Sequence, residues 1–284
     1  MSGYLKAKGV DPAKTRTAYE QLGDLSKKYG EIATDAGLAA AGMLPPPFGT
    51  AADVASLGRS LWKGDWGGAL FDAIGLVPIV GDAAKAGKIA DKLNDLRKAM
   101  DVAASTLGKS LQKTKKAAAQ YWADMAKARK VDYDKAIKSC TTKACRDAKA
   151  AMKGPQYGNT PTDGPNGAWK GERGDSVWQP SAAKGGPAIK YRNGFPDYGP
   201  HSRGNVEIPM RGNTTTDFTA ARDAMRAKTG DPNWTTPKDM TWHHKEDGVT
   251  MQLIPKSVHA TGGGASTPHM GGASLYSGGN APGF

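Results

Sequence analysis

The alternation of hydrophobic and polar residues is clearest near the C-terminal end of the chain. Met240–His244 and Val249–Ile254 both have the two-residue period of strands, and the Asp-Gly pair within Lys245–Gly248 is a hairpin signal. Pro255 ends the second strand, and Lys256–His259 begins a helix or a helical turn. The pattern therefore predicts the order strand, turn, strand, helix in this part of the chain.

The N-terminal third of the chain predicts helices. Asp11 begins a polar helix over residues 12–29, which Gly30 is expected to end. Residues 31–84 are small and apolar, and an apolar run followed by Pro, Gly and an Ala-Ala helix start occurs twice there, 32 residues apart. This repeat predicts two related helical hairpins, which either form a compact packing module or act on membranes to help translocation.

The middle of the chain, residues 85–153, is rich in alanine and lysine and has a helical period. We expect two or three exposed helices there, broken near Gly108 and near Cys140. After Gly154 the chain is rich in Gly and Pro, which predicts many turns and short strands, with one helix at Asp217–Lys228.

These patterns predict a multidomain protein in which an all-α N-terminal region precedes an α+β domain. The expected divisions are a helical region with small-residue hairpins over residues 1–84, a basic helical spacer over 85–153 and a domain over 154–284. The core of that last domain is expected at about residues 240–272. A length of 284 residues agrees with more than one domain.

The charge changes the picture of possible partners. The net charge is +12, which favours an anionic partner such as nucleic acid, a membrane surface or an acidic protein. Residues 85–153 hold 18 basic and 7 acidic residues, whereas residues 154–284 hold 13 and 11. The middle of the chain is therefore either a solvated helical spacer or a surface for nucleic acid or an acidic protein.

Several classes of protein are disfavoured by what the sequence lacks. It has no uninterrupted apolar run of roughly 18 residues or more, so no ordinary transmembrane helix is expected. The first residues do not have the pattern of a signal peptide. Two cysteines, Cys140 and Cys145, are too few for a disulfide framework; a loop-closing disulfide and two free thiols both stay open.

The histidines are concentrated in one part of the sequence. All five lie after residue 200, and four of them, His243, His244, His259 and His269, lie within 27 residues. Clustered histidines bind metals or act as general acids and bases. Because successive residues of a strand face opposite sides, His243 and His244 are expected to have different roles. One can bind a metal while the other faces a reacting phosphate.

The same residues carry a resemblance to a known family. The segment resembles the HNH, or ββα-metal, nuclease superfamily, and within it the WHH-type branch of endonuclease VII-like toxins at the C-termini of bacterial polymorphic toxins. The match covers roughly residues 190–275. The residues that resemble the family are Trp242-His243-His244, Met251–Pro255, His259, His269–Gly272, Gly194–Asp197, Ile208–Asn213 and Asp217-Phe218.

The resemblance implies a role for each histidine of the cluster. His243 corresponds to the first metal ligand, His244 to the general base and His269 to a ligand carried by the helix, with intervals of 15 and 10 residues from His244 to His259 and on to His269. His259 stands where the superfamily has Asn, and is expected to bind the metal or orient the base. The Gly262–Gly264 loop between the last two is longer than in related toxins. The alternative is a purely structural zinc site.

The resemblance implies a metal-dependent endonuclease, expected to cleave DNA, although RNA stays open. One divalent metal ion is expected. Mg²⁺ is the ion expected in cells, although imidazole ligands bind Zn²⁺ or Ni²⁺ more tightly. Lys245, Lys256 and Arg211 are candidates for phosphate contacts, and His201 is expected to be an ordinary loop residue. The alternatives are a membrane-permeabilising protein that acts through residues 31–84 and a basic nucleic-acid-binding protein without catalysis.

The resemblance also implies a biological setting. Asp72–Asp82 resembles the pre-toxin regions that precede such nucleases in secreted effectors. We expect synthesis in the cytoplasm, export by a contact-dependent system such as type VI secretion, and action in the cytoplasm of a competing bacterium. The expected partners are nucleic acid, an acidic cognate immunity protein, and a secretion adaptor or chaperone on the N-terminal region.

Overall fold

The computed structural model describes residues 2–35, 83–229, 231, 233–260 and 267–276. In the described residues, a helical N-terminal region precedes an α+β region with two small sheets, as the sequence predicts. The predicted hairpins lie outside the described residues apart from their edges, and so does the Gly262–Gly264 loop. No helix of the described part is both long enough and apolar enough to cross a membrane.

The chain begins with two helices, α1 (Ser2–Ala7) and α2 (Pro12–Asp35). The Asp11 carboxylate accepts hydrogen bonds from the N–H groups of Ala13 at 3.0 Å and Lys14 at 3.2 Å, and so caps α2. The prediction that Gly30 ends this helix is wrong. A glycine inside a helix costs about 1 kcal/mol, and α2 offsets it by packing Leu22 and Tyr29 on the next helix.

That next helix is α3 (Ala83–Ile137), a single helix of 55 residues. The predicted break at Gly108 is absent because the side chains beside it are held in the core: Leu107 and Leu111 are only 1% and 4% exposed. The predicted break near Cys140 is confirmed, since α3 ends at Ile137.

A short, tightly turned connection follows α3. Cys140 and Cys145 form a disulfide, which decides between the two states that the sequence left open. The Thr142 hydroxyl accepts a hydrogen bond from the Cys145 N–H at 3.2 Å, and so caps α4 (Lys143–Ala148). A 3₁₀ turn at Ala150–Lys153 and the single turn α5 (Pro155–Gly158) lead into the sheets.

The first sheet contains four antiparallel strands in the order β1-β2-β3-β4. They are β1 (Gly167–Trp169), β2 (Val177–Pro180), β3 (Ile189–Arg192) and β4 (Phe195–Pro196). One face of this sheet is aromatic. Its Trp169, Trp178 and Tyr191 side chains form one buried cluster with Tyr198, which follows β4, and with Ile254 and Val258 farther along the chain.

The second sheet has the order β5-β7-β6 and is antiparallel throughout. Its strands are β5 (Gly204–Glu207), β6 (Met240–His244) and β7 (Thr250–Pro255), with helix α6 (Thr214–Thr229) between β5 and β6. One turn of helix, α7 (Lys256–His259), follows β7. The predicted strand, turn, strand, helix order is confirmed, with the second strand starting one residue later and including Pro255.

Helix α3 has a solvated face and a face that packs on the sheets. The Trp122 ring lies 4.9 Å from Phe195 of β4, and its Nε1 donates a hydrogen bond to the Glu246 carbonyl at 3.1 Å. Lys115 forms an ion pair with Glu207 at the end of β5. The described part of the predicted spacer is therefore in contact with the C-terminal sheets, while the division into three domains stays a prediction.

Trp122 should anchor α3 to the turn between β6 and β7. Trp122→Ala removes an 8% exposed ring and its hydrogen bond to Glu246, and should lower the free energy of unfolding of the full chain by about 3–5 kcal/mol. Denaturant unfolding measures this loss. Val131→Ala, on the same helix but 74% exposed, is the matched control. Equal losses in the two variants would contradict the packed interface.

Candidate metal and catalytic site

The strand β6 sends two adjacent histidines to opposite faces of the second sheet. Trp242 and His244 lie on the face covered by α6, where Trp242 is 2% exposed in the core with Ala221 and Met225. His243 lies on the other face, 3% exposed, with its ring 4.8 Å from that of Tyr198. The alternation predicted from the sequence therefore separates the two imidazoles into different surroundings.

Three imidazoles come together on the His243 side of the sheet. Ligand atoms of His243, His259 and His269 all lie within 4.8 Å of one another. Nε2 of His269 and Nδ1 of His243 are 3.1 Å apart. His259 reaches the cluster from the end of α7, directly after β7. His243 is the buried floor of the cluster, while His259 and His269 are partly exposed.

A backbone contact fixes the orientation of the His269 ring. Its Nδ1 lies against the carbonyl oxygen of Thr267, which can only accept, so Nδ1 carries the proton and Nε2 keeps its lone pair toward the cluster. Metal-binding histidines commonly donate a hydrogen bond to a carbonyl from the N–H of their second ring nitrogen in this way. The expectation that a helix carries His269 is wrong: the residue lies in an irregular segment before the 3₁₀ turn Gly272–Leu275.

Two glycines let that irregular segment lie directly on β6. A Cβ at Gly271 would be 2.5 Å from the carbonyl oxygen of His244, and a Cβ at Gly272 would collide with the carbonyl of Lys245. The close approach requires residues without side chains at both positions. The His269–Gly272 part of the resemblance thus has a packing reason, because it seats His269 against the strand that carries His243.

Burial keeps the three imidazoles neutral. Desolvation lowers the pKa of His243 well below its usual value, with a further lowering from the neighbouring His269 and His259. Desolvation also lowers the pKa of His259, to about 4, and that of His269. Neutral imidazole is the form that binds metal ions, so the cluster stays ready to bind a metal at and below neutral pH.

The cluster fits a divalent metal. Two nitrogen ligands about 2.0–2.2 Å from one ion lie roughly 3.0–3.5 Å apart, which agrees with the 3.1 Å between His269 and His243. A closed structural zinc site needs four protein ligands, whereas the described residues bring three to this cluster. His244 cannot supply the fourth, because it faces the other side of the sheet. Three imidazoles favour Zn²⁺, Ni²⁺ or a similar ion and leave positions open for substrate.

Tyr198 forms a wall of the cluster and was missed by the sequence analysis. It is fully buried, and its ring centroid lies 5.8 Å from those of both His259 and His269. Burial raises the pKa of its phenol, so the hydroxyl stays neutral beside the imidazoles. The nearest sequence signal was the Gly194–Asp197 segment of the resemblance, which leads the chain through β4 to this tyrosine.

His244 lies under the start of α6. Its Nε2 is 3.2 Å from Oδ2 of Asp217, and its ring stacks on Phe218 with centroids 5.7 Å apart and planes 29° from parallel. The His244 side chain is 11% exposed, and that of Asp217 is 2% exposed. The sequence placed Asp217 and Phe218 at a helix start and in the resemblance, but it gave no sign that either residue touches the histidine.

The other predicted site residues lie outside the cluster of three. Arg211 Nη2 forms an ion pair with Glu20 of α2 at 2.7 Å, and Lys256 Nζ donates to the Lys238 carbonyl at 2.7 Å. Lys245 follows His244 and is close enough for its charge to lower the pKa of His243. His201 ends the 3₁₀ turn Gly199–His201 and is not one of the three clustered histidines. The roles of these lysines and of Arg211 in binding phosphate stay predictions.

The lowered pKa of His259 should make the metal-free protein less stable in acid. Unfolded His259 binds a proton near pH 6.5 and folded His259 near pH 4, so between these values the unfolded state holds more protons. The free energy of unfolding should therefore fall by about 3 kcal/mol from pH 7 to pH 4 because of this residue. Denaturant unfolding in EDTA should show that the free energy of unfolding depends less steeply on pH in His259→Gln than in the wild type. Identical slopes would contradict a lowered pKa of His259 in the folded protein.

Comparison with known proteins gives the site a family. Residues 232–279, about a sixth of the chain, match a family model described as a nuclease of the HNH/ENDO VII superfamily with conserved WHH. No curated protein matches the chain. The match contains the Trp242-His243-His244 sequence, both strands of the hairpin, and His259 and His269. These residues are thus a WHH nuclease domain of the HNH/ENDO VII superfamily, and the C-terminal part of this protein is a metal-dependent endonuclease.

Proposed function

We propose that the protein is an antibacterial effector whose WHH domain hydrolyses the phosphodiester bonds of DNA. One observation carries the chemical part of this proposal: β6 presents His243 to a three-histidine cluster and His244 to a separate, partly exposed site on the other face. A hydrolase of this kind needs one group that holds positive charge near the phosphate and another that accepts a proton from water. The two faces of β6 supply them separately.

His244 is the general base of the proposed reaction. Its free ring nitrogen takes a proton from a water molecule whose oxygen forms the new bond to phosphorus. The bond from phosphorus to the 3′ oxygen breaks, and the products carry a 5′-phosphate and a 3′-hydroxyl after solvent protonates the leaving oxygen. His243, His259 and His269 would hold a divalent ion, which would supply positive charge beside the scissile phosphate.

The proposed ion in cells is Mg²⁺, because of its abundance there. The donor set by itself points the other way, since three imidazoles bind Zn²⁺ or Ni²⁺ more tightly than a hard ion that prefers oxygen. A titration that compares cleavage in Mg²⁺, Mn²⁺, Ni²⁺ and Zn²⁺ decides which ion supports turnover. Loss of all cleavage in EDTA is expected with any of them.

Substrate binding requires cations around a domain that is itself nearly neutral. We propose that Lys245, Lys256 and Arg211 contact phosphates. In the free protein Arg211 is paired with Glu20 and Lys256 with the Lys238 carbonyl, so both must exchange partners on binding. The solvated face of α3, with Lys109, Lys113 and Lys116, offers further positive charge for the nucleic-acid backbone.

The proposed setting is competition between bacteria. The support is the resemblance of the WHH segment and of Asp72–Asp82 to toxin chains. The protein would be made in the cytoplasm of the producing cell, exported by a contact-dependent system, and active in the cytoplasm of the recipient. An acidic immunity protein that covers the surface beside His244 would protect the producer, and an adaptor or chaperone would bind the N-terminal region.

Two other functions have separate supporting observations. The small-residue repeat of residues 31–84 favours a membrane-permeabilising protein, and most of that segment lies outside the described residues. The lysines along α3 favour a nucleic-acid-binding protein without catalysis. Neither alternative uses the three-histidine cluster or the contact between His244 and Asp217, which is why the nuclease is preferred.

Two variants should separate the proposed roles of His243 in metal binding and of His244 in accepting the proton. His244→Ala in the full chain should reduce the rate of plasmid nicking by on the order of 10²–10⁴-fold, the usual contribution of a general base, while Ni²⁺ binding measured by calorimetry persists. His243→Ala should lose both nicking and metal binding. His201→Ala controls for removal of a histidine outside the site. Undiminished nicking by His244→Ala would overturn the assignment of the base.

The toxic role makes a prediction in living cells. Induced expression of the full chain in the bacterial cytoplasm should stop growth and degrade the chromosome, whereas His244→Ala should be tolerated at the same protein level. Extraction of total DNA and RNA from the arrested cells separates the two substrates. Growth arrest by both the wild-type protein and His244→Ala, with leakage of a small dye, would favour the membrane-permeabilising alternative. Degraded RNA with intact DNA would identify RNA as the substrate.

A further inference from the structure

We infer that Asp217 is a positioning residue for His244, and that it makes Nδ1 of His244 the atom that accepts the proton from water. The inference rests on the proposed role of His244 as the base. It assigns a function to a buried carboxylate on a different element, α6, outside the matched residues 232–279. It also states which tautomer of the imidazole is present before reaction.

The contacts of the Asp217 carboxylate carry the argument. Oδ1 accepts the N–H of Arg211 at 2.8 Å; Oδ2 accepts the N–H of Gly212 at 2.9 Å and lies 3.2 Å from Nε2 of His244. A carboxylate ion has no proton to donate, so the hydrogen of the third contact belongs to His244. With the proton on Nε2, the neutral ring keeps its lone pair on Nδ1.

The surrounding backbone holds Asp217 where it is. The residue lies in the first turn of α6, where the positive end of the helix dipole favours a carboxylate. Gly212 has φ of +76°, a conformation that suits glycine and lets the chain turn so that two successive N–H groups face the same carboxylate. The Asn213 side chain caps the helix through the Thr216 N–H at 3.1 Å. Burial of Asp217 to 1% exposure leaves it no alternative position in solvent.

Phe218 completes the arrangement from the next position along α6. Its ring stacks on the His244 ring, which restricts rotation of the imidazole about its bond to Cβ. The carboxylate then fixes which ring nitrogen faces α6 and which faces away. A base held in one orientation and one tautomer loses little entropy when it takes the proton, and this is how a carboxylate assists a catalytic histidine in hydrolases.

The competing explanation is that Asp217 only caps the backbone of Arg211 and Gly212. Asparagine discriminates between the two roles, because it retains one acceptor oxygen for the backbone but replaces the other with a donor. With the asparagine oxygen on the Arg211 N–H, the N–H₂ group of Asp217→Asn takes the place of Oδ2, so the hydrogen bond from the Gly212 N–H is lost. That N–H₂ group then donates to Nε2 of His244 and moves the ring proton to Nδ1. The base would then present a proton to the water, where it should present a lone pair.

The kinetic test compares wild type, Asp217→Asn and Asp247→Asn as full chains. Asp217→Asn should lower kcat by on the order of 10²–10⁴-fold and leave KM and the Ni²⁺ affinity within about twofold. Asp247 is the matched control, since its carboxylate also caps backbone N–H groups, those of Val249 and Thr250, without touching a histidine. Asp247→Asn should keep its kcat. Equal kcat for Asp217→Asn and wild type would overturn the inference.

A second readout does not depend on cleavage. Nitrogen-15 NMR of histidine-labelled, metal-free protein at pH 8 distinguishes the two tautomers, and the five histidines make a sparse spectrum in which His244→Ala identifies the signal. Wild type should show His244 protonated on Nε2, and Asp217→Asn should show it on Nδ1. An Nδ1-protonated ring in wild type would overturn the inference even if the variant failed to fold.

The two readouts separate failure of the inference from failure of the proposed function. If wild type shows the Nε2-protonated ring but cuts neither DNA nor RNA in any metal, the proposed function fails and the positioning contact stands. If wild type cuts DNA, His244→Ala does not, and Asp217→Asn cuts as fast as wild type, the inference fails and the function stands. Asp217→Asn in the His244→Ala background should cause no further loss of cleavage.

Discussion

Two adjacent residues of a strand must face opposite sides of their sheet, and this constraint organises the catalytic part of the molecule. On β6 it directs His243 into the space between the two sheets and His244 under α6. Each face then needs its own supporting structure. Tyr198 and the His269 segment lie against His243, while Asp217 and Phe218 hold His244. The hairpin is the common element on which both sets of contacts depend.

The two faces of β6 give their imidazoles different surroundings. On the His243 side, burial and neighbouring imidazoles disfavour protonation, which suits ligands of a positive ion. On the other side, Oδ2 of the buried Asp217 carboxylate lies 3.2 Å from Nε2 of His244 and holds the ring under α6. A one-residue slip of β6 would move each ring to the opposite face of the sheet and so exchange the surroundings of His243 and His244.

The parts of this site that depend on short-range rules were predictable. Alternation, the Asp-Gly turn and Pro255 gave the hairpin and α7, and the four clustered histidines indicated the site. Features that depend on distant packing were not visible. The burial of Leu107 and Leu111 keeps α3 helical through Gly108. Gly271 and Gly272 let an irregular segment pack closely on β6 where a helix was expected. Tyr198 and Asp217 come from elements far along the chain, and no local pattern marks a tyrosine or an aspartate as a neighbour of a histidine.

The most direct test of the separation between the metal ligands and His244 is a crystal structure of the full chain. The crystals are soaked in Ni²⁺ or Zn²⁺, and the ion is located by its anomalous scattering. We expect one ion bound by Nδ1 of His243, Nε2 of His269 and a ring nitrogen of His259, with His244 unbound and still against Asp217. Finding the ion on His244, or finding all four histidines closed around it, would contradict the separation of ligand and base on which the account depends.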